Sequence, residues 1–122
     1  MKALLLVAHG SRRKQSNEEV VELADKLKKN CADQYGIIHA GFLELSETLI
    51  PDGIRNCVND GATSIVVLPY FLNSGRHVVE DIPDIVEETR TEYPGIDIKV
   101  APHLGASHLM MDMLIASANS VR

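Results

Sequence analysis

The sequence has little cysteine, no excess of positive charge and no long apolar run, and each shortage removes a class of protein. Cys31 and Cys57 are the only thiols. They are too few and too far apart for a disulfide framework or a CxxC metal site, and are expected as reduced, buried residues. The net charge is −5 at pH 7, so no overall electrostatic pull toward nucleic acid or a membrane surface exists, although a local patch can depart from the average. The opening "MKALLLVAHGSRR" holds an apolar run of about six residues, short of the roughly seven to fifteen of a signal-peptide core. It closes on His, Gly and two Arg and reads as a buried strand. Nothing else approaches the roughly 18 apolar residues of a membrane span, and the expected location is the cytoplasm.

Familiar catalytic signatures are equally scarce. There is no GxSxG elbow for a serine hydrolase. No HExxH or CxxC pair closes a structural metal site, and "HGSRRK" lacks the glycine spacing that cradles a dinucleotide pyrophosphate. A histidine phosphatase would carry RHG after its first strand, whereas Ala8 precedes His9.

What is present is an ordinary globular composition, 45% hydrophobic over 122 residues, enough for one core and too short for two. A single domain over residues 1–122 is expected. Four apolar segments read as strands: "ALLLVA" at 3–8, "IIHAGFL" at 37–43, "SIVVLPYF" at 64–71 and "IDIKVA" at 96–101. Amphipathic helices fit between them. "SNEEVVELADKLKKN" places Val20, Leu23, Ala24 and Leu27 on one stripe, with Ser16 or Asn17 as N-cap and lysines in the last turn. In "IPDGIRNCVNDGA", Pro51 suits a first turn, Ile54, Cys57 and Val58 share a face, and Gly61 suits the stop. A third helix is expected over about His77 to Tyr93, with Pro83 an obstacle to the early start. A fourth follows "HLGAS", where Leu109, Met110, Met113 and Leu114 are expected first in the core and second in a dimer contact. Strands alternating with helices imply right-handed crossovers and a parallel sheet covered on both faces, and continuous apolar strands agree with burial on both sides.

In such a sheet every strand C-terminus lies on one edge, and ligands bind outside it. Conspicuous polar residues follow each strand: His9, Glu44, Arg76 with His77, and His103. A histidine taken alone is more often a satisfied structural residue, and His39, His103 and His108 are read that way individually. Recurrence at one edge argues otherwise. Two imidazoles and a carboxylate suit a borderline divalent metal, and the absence of a closing motif points to a loosely held ion with open positions. Beside His9, Gly10 permits a tight turn, Ser11 offers a hydroxyl and a backbone N–H, and Arg12, Arg13 and Lys14 sit where the first helix begins. That is either an anion site or a solvated basic corner. The combination calls for a ligand anionic at its rim and able to accept a metal at its centre.

"LLLVAHGSR", "FLELSE", "IPDGIRNCV", "IVVLPYFLNSGRHVVEDIP" and "APHLG", in that order and spacing, closely resemble the short-chain sirohydrochlorin cobaltochelatases of the CbiX type. These are relatives of the iron-inserting sirohydrochlorin chelatases and, more distantly, of ferrochelatase. "HGSR" is weak alone, "LPYFLNSGRHVVEDIP" is specific, and the likeness spans nearly the whole chain. Many relatives have a more glycine-rich turn where this chain has Asn73-Ser74-Gly75-Arg76. The resemblance implies a chelatase-like α/β fold, a doubly wound sheet of four mainly parallel strands with helices on both faces. It implies His9 and His77 as the catalytic and metal-binding pair, and a homodimer, since longer relatives hold two such units and bind the tetrapyrrole between them. Sirohydrochlorin, whose rim carries carboxylates, would meet Gly10, Ser11, Arg12, Arg13, Glu44, Ser74, Gly75 and Arg76. No organic cofactor is implied. The divalent metal is a substrate, cobalt first, with iron or nickel insertion, or a non-catalytic metal or tetrapyrrole chaperone, as alternatives.

Overall fold

The computed structural model describes residues 1–31 and 33–121. Four strands, β1 (Lys2–Ala8), β2 (Ile37–Phe42), β3 (Ser64–Pro69) and β4 (Asp97–Val100), form one sheet in the order β2-β1-β3-β4, and every pairing is parallel. The expectation of mainly parallel strands is therefore met in full. β1 is central, with Leu5 opposite both His39 and Val67.

Four helices are interleaved: α1 (Lys14–Asn30), α2 (Ile50–Asn59), α3 (Ile82–Arg90) and α4 (Met110–Asn119). The pleat of β1 sends alternate side chains to opposite faces. Ala3, Leu5 and Val7 enter a core with Ile54 and Cys57 of α2 and Ile82 and Val86 of α3. Leu4, Leu6 and Ala8 meet Val20 and Ala24 of α1. No helix is long and apolar enough to cross a membrane among the described residues.

Several local expectations are corrected. α1 starts at Lys14, and neither Ser16 nor Asn17 caps it; Arg13 holds the cap position without a side-chain bond. Asn17 has other work, described below. Gly61 does end α2, at φ +102°. The third helix begins at His77, but its first stretch, His77–Asp81, is a π turn closed by Ile82 N–H donating to His77 O. Pro83 explains the form: it has no N–H to donate four residues back, so the α ladder fails there and a wider turn accommodates its ring.

The expected core role of the last helix does not hold. α4 has no buried residue, and Leu109, Met111, Met113, Leu114 and Ile115 are all exposed, Met111 by 65%. A three-residue 3-10 turn (Leu104–Ala106) precedes it. That turn lies so close to Leu72 that a Cβ on Gly105 would fall 1.8 Å from the Leu72 carbonyl oxygen.

Candidate active site

The loop after β1 is built on the loop after β2. Beyond the strand ends, Leu43 N–H donates to Ala8 O and Glu44 N–H to His9 O, both at 3.1 Å. The two chains are so close that a Cβ on Gly10, which has φ +96°, would stand 1.8 Å from Glu44 O; only glycine fits. Asn17, on the first turn of α1, then ties the two loops together. Its Oδ1 accepts from Ser11 N–H at 2.9 Å, and its Nδ2 donates to Ser11 O at 2.9 Å and to Leu45 O at 3.0 Å. Leu45 is held at φ 56°, a left-handed conformation that costs a non-glycine residue about 1–2 kcal/mol. His9 and Glu44 are thus set by backbone, a close glycine contact and one amide side chain.

From the other side of β1, β3 delivers the π turn. His77 is its first residue and Asp81 its last. His77 Nδ1 lies 2.7 Å from Asp81 Oδ2, and His77 Nε2 lies 3.2 Å from His9 Nε2. The rings meet edge to face, with centroids 4.7 Å apart. His9 Nδ1 is 3.0 Å from Gly10 O, and Glu44 Oε1 is 3.5 Å from His9 Nε2. Residues 68 positions apart in the chain are therefore in contact. With metal–nitrogen bonds of about 2.1 Å, an Nε2–Nε2 separation of 3.2 Å corresponds to an angle of roughly 100° at a shared ion, between octahedral and tetrahedral values. Among the described residues no group of three or more metal-binding side chains is gathered as a cage; the imidazole pair is open toward solvent.

The remaining candidates divide. Arg12 is exposed, and Arg13 donates to Gln15 Oε1 at 2.8 Å and Ser16 Oγ at 3.4 Å. Ser11 Oγ accepts from Arg13 N–H, so the Ser11 hydroxyl and backbone N–H both serve the loop itself. Ser74, Gly75 and Arg76 are exposed; Arg76 pairs with Glu80 at 3.5 Å, and Gly75 O accepts from Val78 and Val79 N–H. His39 pairs with Asp60 at 2.6 Å across β2 and α2. His103 precedes the 3-10 turn, and His108 is exposed.

Two residues have roles here that the sequence does not assign them: Asn17, expected only as a helix cap, and Asp81. The spacing His77–Asp81, four apart at a helix start, was the available signal for the second. A depression of about 280 Å³ beside the pair is lined by Leu43, Glu44, His77, Asp81, Asp84 and Ile85. The larger groove, about 670 Å³, runs instead along β2 between α1 and the loop after β2, away from the pair.

The CbiX family model matches residues 3–121. The sirohydrochlorin cobaltochelatase of Methanococcus maripaludis is 30% identical over 146 aligned positions, covering 99% of this chain and 100% of that protein. The chloroplastic sirohydrochlorin ferrochelatase of Arabidopsis thaliana is 35% identical over 111 residues, covering 91% of this chain and 48% of that protein. The chain thus spans about half the length of this and other longer relatives. The crystal structure of the sirohydrochlorin chelatase SirB from Bacillus subtilis subspecies spizizenii, in complex with cobalt, superposes with a TM-score of 0.85 at 29% identity over 98% of this chain and 50% of that one. With its four parallel strands, its facing histidines and this full-length match, the chain belongs to the CbiX family.

Proposed function

We propose that the protein is a sirohydrochlorin chelatase that inserts a divalent metal, cobalt(II) first, working in the cytoplasm as a homodimer. The observation that carries the reading is the approach of the His9 and His77 Nε2 atoms to 3.2 Å at the C-terminal edge of the sheet. Insertion exchanges two pyrrole protons for one metal(II) ion, so the site must first hold a partly dehydrated cation and then dispose of protons. A pair of imidazoles open to solvent suits both, because neutral imidazole binds borderline metals and is the side chain that titrates nearest neutral pH. Glu44 stands beside His9 as a further oxygen ligand or proton carrier. Arg12, Arg13 and Arg76, all exposed on this side, would meet the carboxylates of the ring through charge-assisted pairs.

The 280 Å³ depression of one subunit is smaller than the roughly 300–1,000 Å³ that encloses an ordinary small ligand, and sirohydrochlorin is larger still. A second copy supplies the other wall, and the exposed apolar residues of α4 give it something to bury. Iron is the alternative metal, favoured by the ferrochelatase names among the relatives.

The deciding experiment mixes purified protein with metal-free sirohydrochlorin and cobalt(II), and follows absorbance above the spontaneous rate. Acceleration is expected. Its absence with cobalt, iron and nickel would replace the enzyme by a metal or tetrapyrrole carrier. Light scattering across a dilution series, with activity in parallel, tests the dimer: full activity per chain at monomeric concentrations refutes it.

A further inference from the structure

The hydrogen-bond partners of the two imidazoles define their tautomers. His77 Nδ1 faces Asp81 Oδ2 at 2.7 Å, and a carboxylate only accepts, so Nδ1 carries the hydrogen. His9 Nδ1 faces the Gly10 carbonyl oxygen at 3.0 Å, which also only accepts; the Glu44 carboxylate stands farther off, 3.5 Å from His9 Nε2, so the shorter contact assigns the hydrogen to Nδ1 here too. A neutral imidazole has one N–H. Both Nε2 atoms are then bare lone pairs, and they point at each other across 3.2 Å. Two lone pairs at that distance repel unless a cation, a shared proton or a metal ion, lies between them.

We infer that Asp81 is a positioning residue that fixes His77 as the Nδ1–H tautomer, so that the facing Nε2 atoms form a two-lone-pair receptor for the divalent cation. Asp81 acts through His77 rather than on the substrate. Carboxylate-to-imidazole contacts of this kind orient a ligand and raise its basicity, and their loss typically costs 10–100-fold in metal affinity. The neighbouring acids are differently engaged or placed. Glu80 pairs with Arg76, and Asp84 lines the depression without bonding to either histidine. The π turn presents the two side chains together, with His77 as its first residue and Asp81 as its last. Without Asp81, His77 is free to adopt the Nε2–H form, which places a hydrogen where the ion must sit.

The inference rests on the proposed metal handling by His77, yet its first measurement is independent of turnover. Long-range proton–nitrogen correlation spectra of 15N-histidine-labelled, metal-free protein distinguish Nδ1–H from Nε2–H imidazoles. His77 is expected as Nδ1–H in the native protein and in Asp81→Asn, whose amide oxygen still accepts, and as largely Nε2–H in Asp81→Ala. Cobalt(II) titration should show affinity about 10–100-fold weaker for Asp81→Ala and a smaller loss for Asp81→Asn. The kcat for insertion should fall with affinity while the KM for sirohydrochlorin stays near native.

An Nε2–H His77 in the native protein overturns the inference, as does an Asp81→Ala protein with unchanged tautomer and cobalt affinity. Equal losses of affinity in both variants, with the Asn variant keeping Nδ1–H, would make Asp81 a direct metal ligand and overturn it also. Should Asp81→Ala lose its thermal transition, the Asn variant decides between these outcomes by tautomer and affinity together. If the native protein fails to turn over with any metal, the chelatase reading fails while the tautomer measurement still stands.

Discussion

Replacing Gly10 with alanine tests how the site is assembled. Two penalties arise. The backbone sits at φ +96°, where a side chain costs of order 1–3 kcal/mol. The new Cβ would also stand 1.8 Å from Glu44 O and 2.8 Å from Glu44 C, so one loop must retreat by roughly 1.5 Å to reach ordinary contact distance. That retreat breaks the Glu44 N–H to His9 O bond, worth about 0.5–1.5 kcal/mol. Gly61 is the matching control: φ is +102°, and a Cβ there meets nothing within 4 Å. Gly61→Ala carries the conformational penalty alone.

Thermal unfolding should therefore place both variants below the native protein, with Gly10→Ala lower than Gly61→Ala by a further 1–3 kcal/mol or so, roughly 3–15 °C in a chain of this size. Insertion activity separates them more sharply. Displacing His9 by about 1 Å or more costs on the order of 100-fold in rate, whereas Gly61→Ala, on the far side of α2, should leave turnover unchanged in the folded protein. Equal melting temperatures and equal activities for the two variants would refute the claim that the Gly10–Glu44 contact sets the site.

His77→Ala should remove most chelatase activity while keeping a cooperative thermal transition, since His77 is half exposed at the sheet edge; loss of the transition would make the histidine structural. Changing Arg12 and Arg13 together to glutamine should raise the KM for sirohydrochlorin with a smaller change in kcat, the pattern of uniform binding, and an unchanged KM would return both to solvent. Asn17→Ala leaves Ser11 N–H, Ser11 O and Leu45 O without their shared partner, so activity should fall more than helix propensity would suggest, and a variant with native kcat/KM would show the clamp to be dispensable. Burial, reinforced by Asp60, pushes the Cys57 thiol up to about 12 from 9.0. The folded state holds that proton while the unfolded state releases it, so this contribution to stability is complete below pH 9 and is lost as pH rises toward 12; in native protein at pH 8 a disulfide reagent should titrate Cys31 and spare Cys57 until denaturant is added.

How far the sequence foretold the molecule depends on the range of the signal. "ALLLVA" is apolar on consecutive residues and is buried on both faces of the parallel sheet, whereas only the first six residues of "SIVVLPYF" are strand, alternately buried and half-buried, and Tyr70 is exposed beyond it. Pro51 and Gly61 mark helix ends by local stereochemistry and are found doing so. His39 lies inside the second strand and His77 beyond the third, and that difference of place separates them: the first is satisfied by Asp60 and the second faces His9. Asn17 has the composition of a helix cap, but its decisive partner, Leu45, is 28 residues away, beyond any periodicity. The apolar spacing of α4 was legible, whereas the surface that covers it was not, because amphipathicity reports that a face is apolar and says nothing about its partner.

The position of β1 at the centre of the sheet governs when a growing chain can bring His9 and His77 together. β1 comes first of the four strands in the chain, yet its neighbours β2 and β3 follow at residues 37 and 64, and His77 comes later still. Parallel pairing across such separations is slow to form because chain closure must precede its reward. A nascent chain therefore carries His9 through the synthesis of the 68 positions that lead to His77 without the imidazole it faces in the folded structure. The 3.2 Å approach of His9 to His77 can form only after β3 has docked and the π turn has folded over the sheet edge, so on the proposed function an unfinished polypeptide would lack the paired imidazoles that hold the ion.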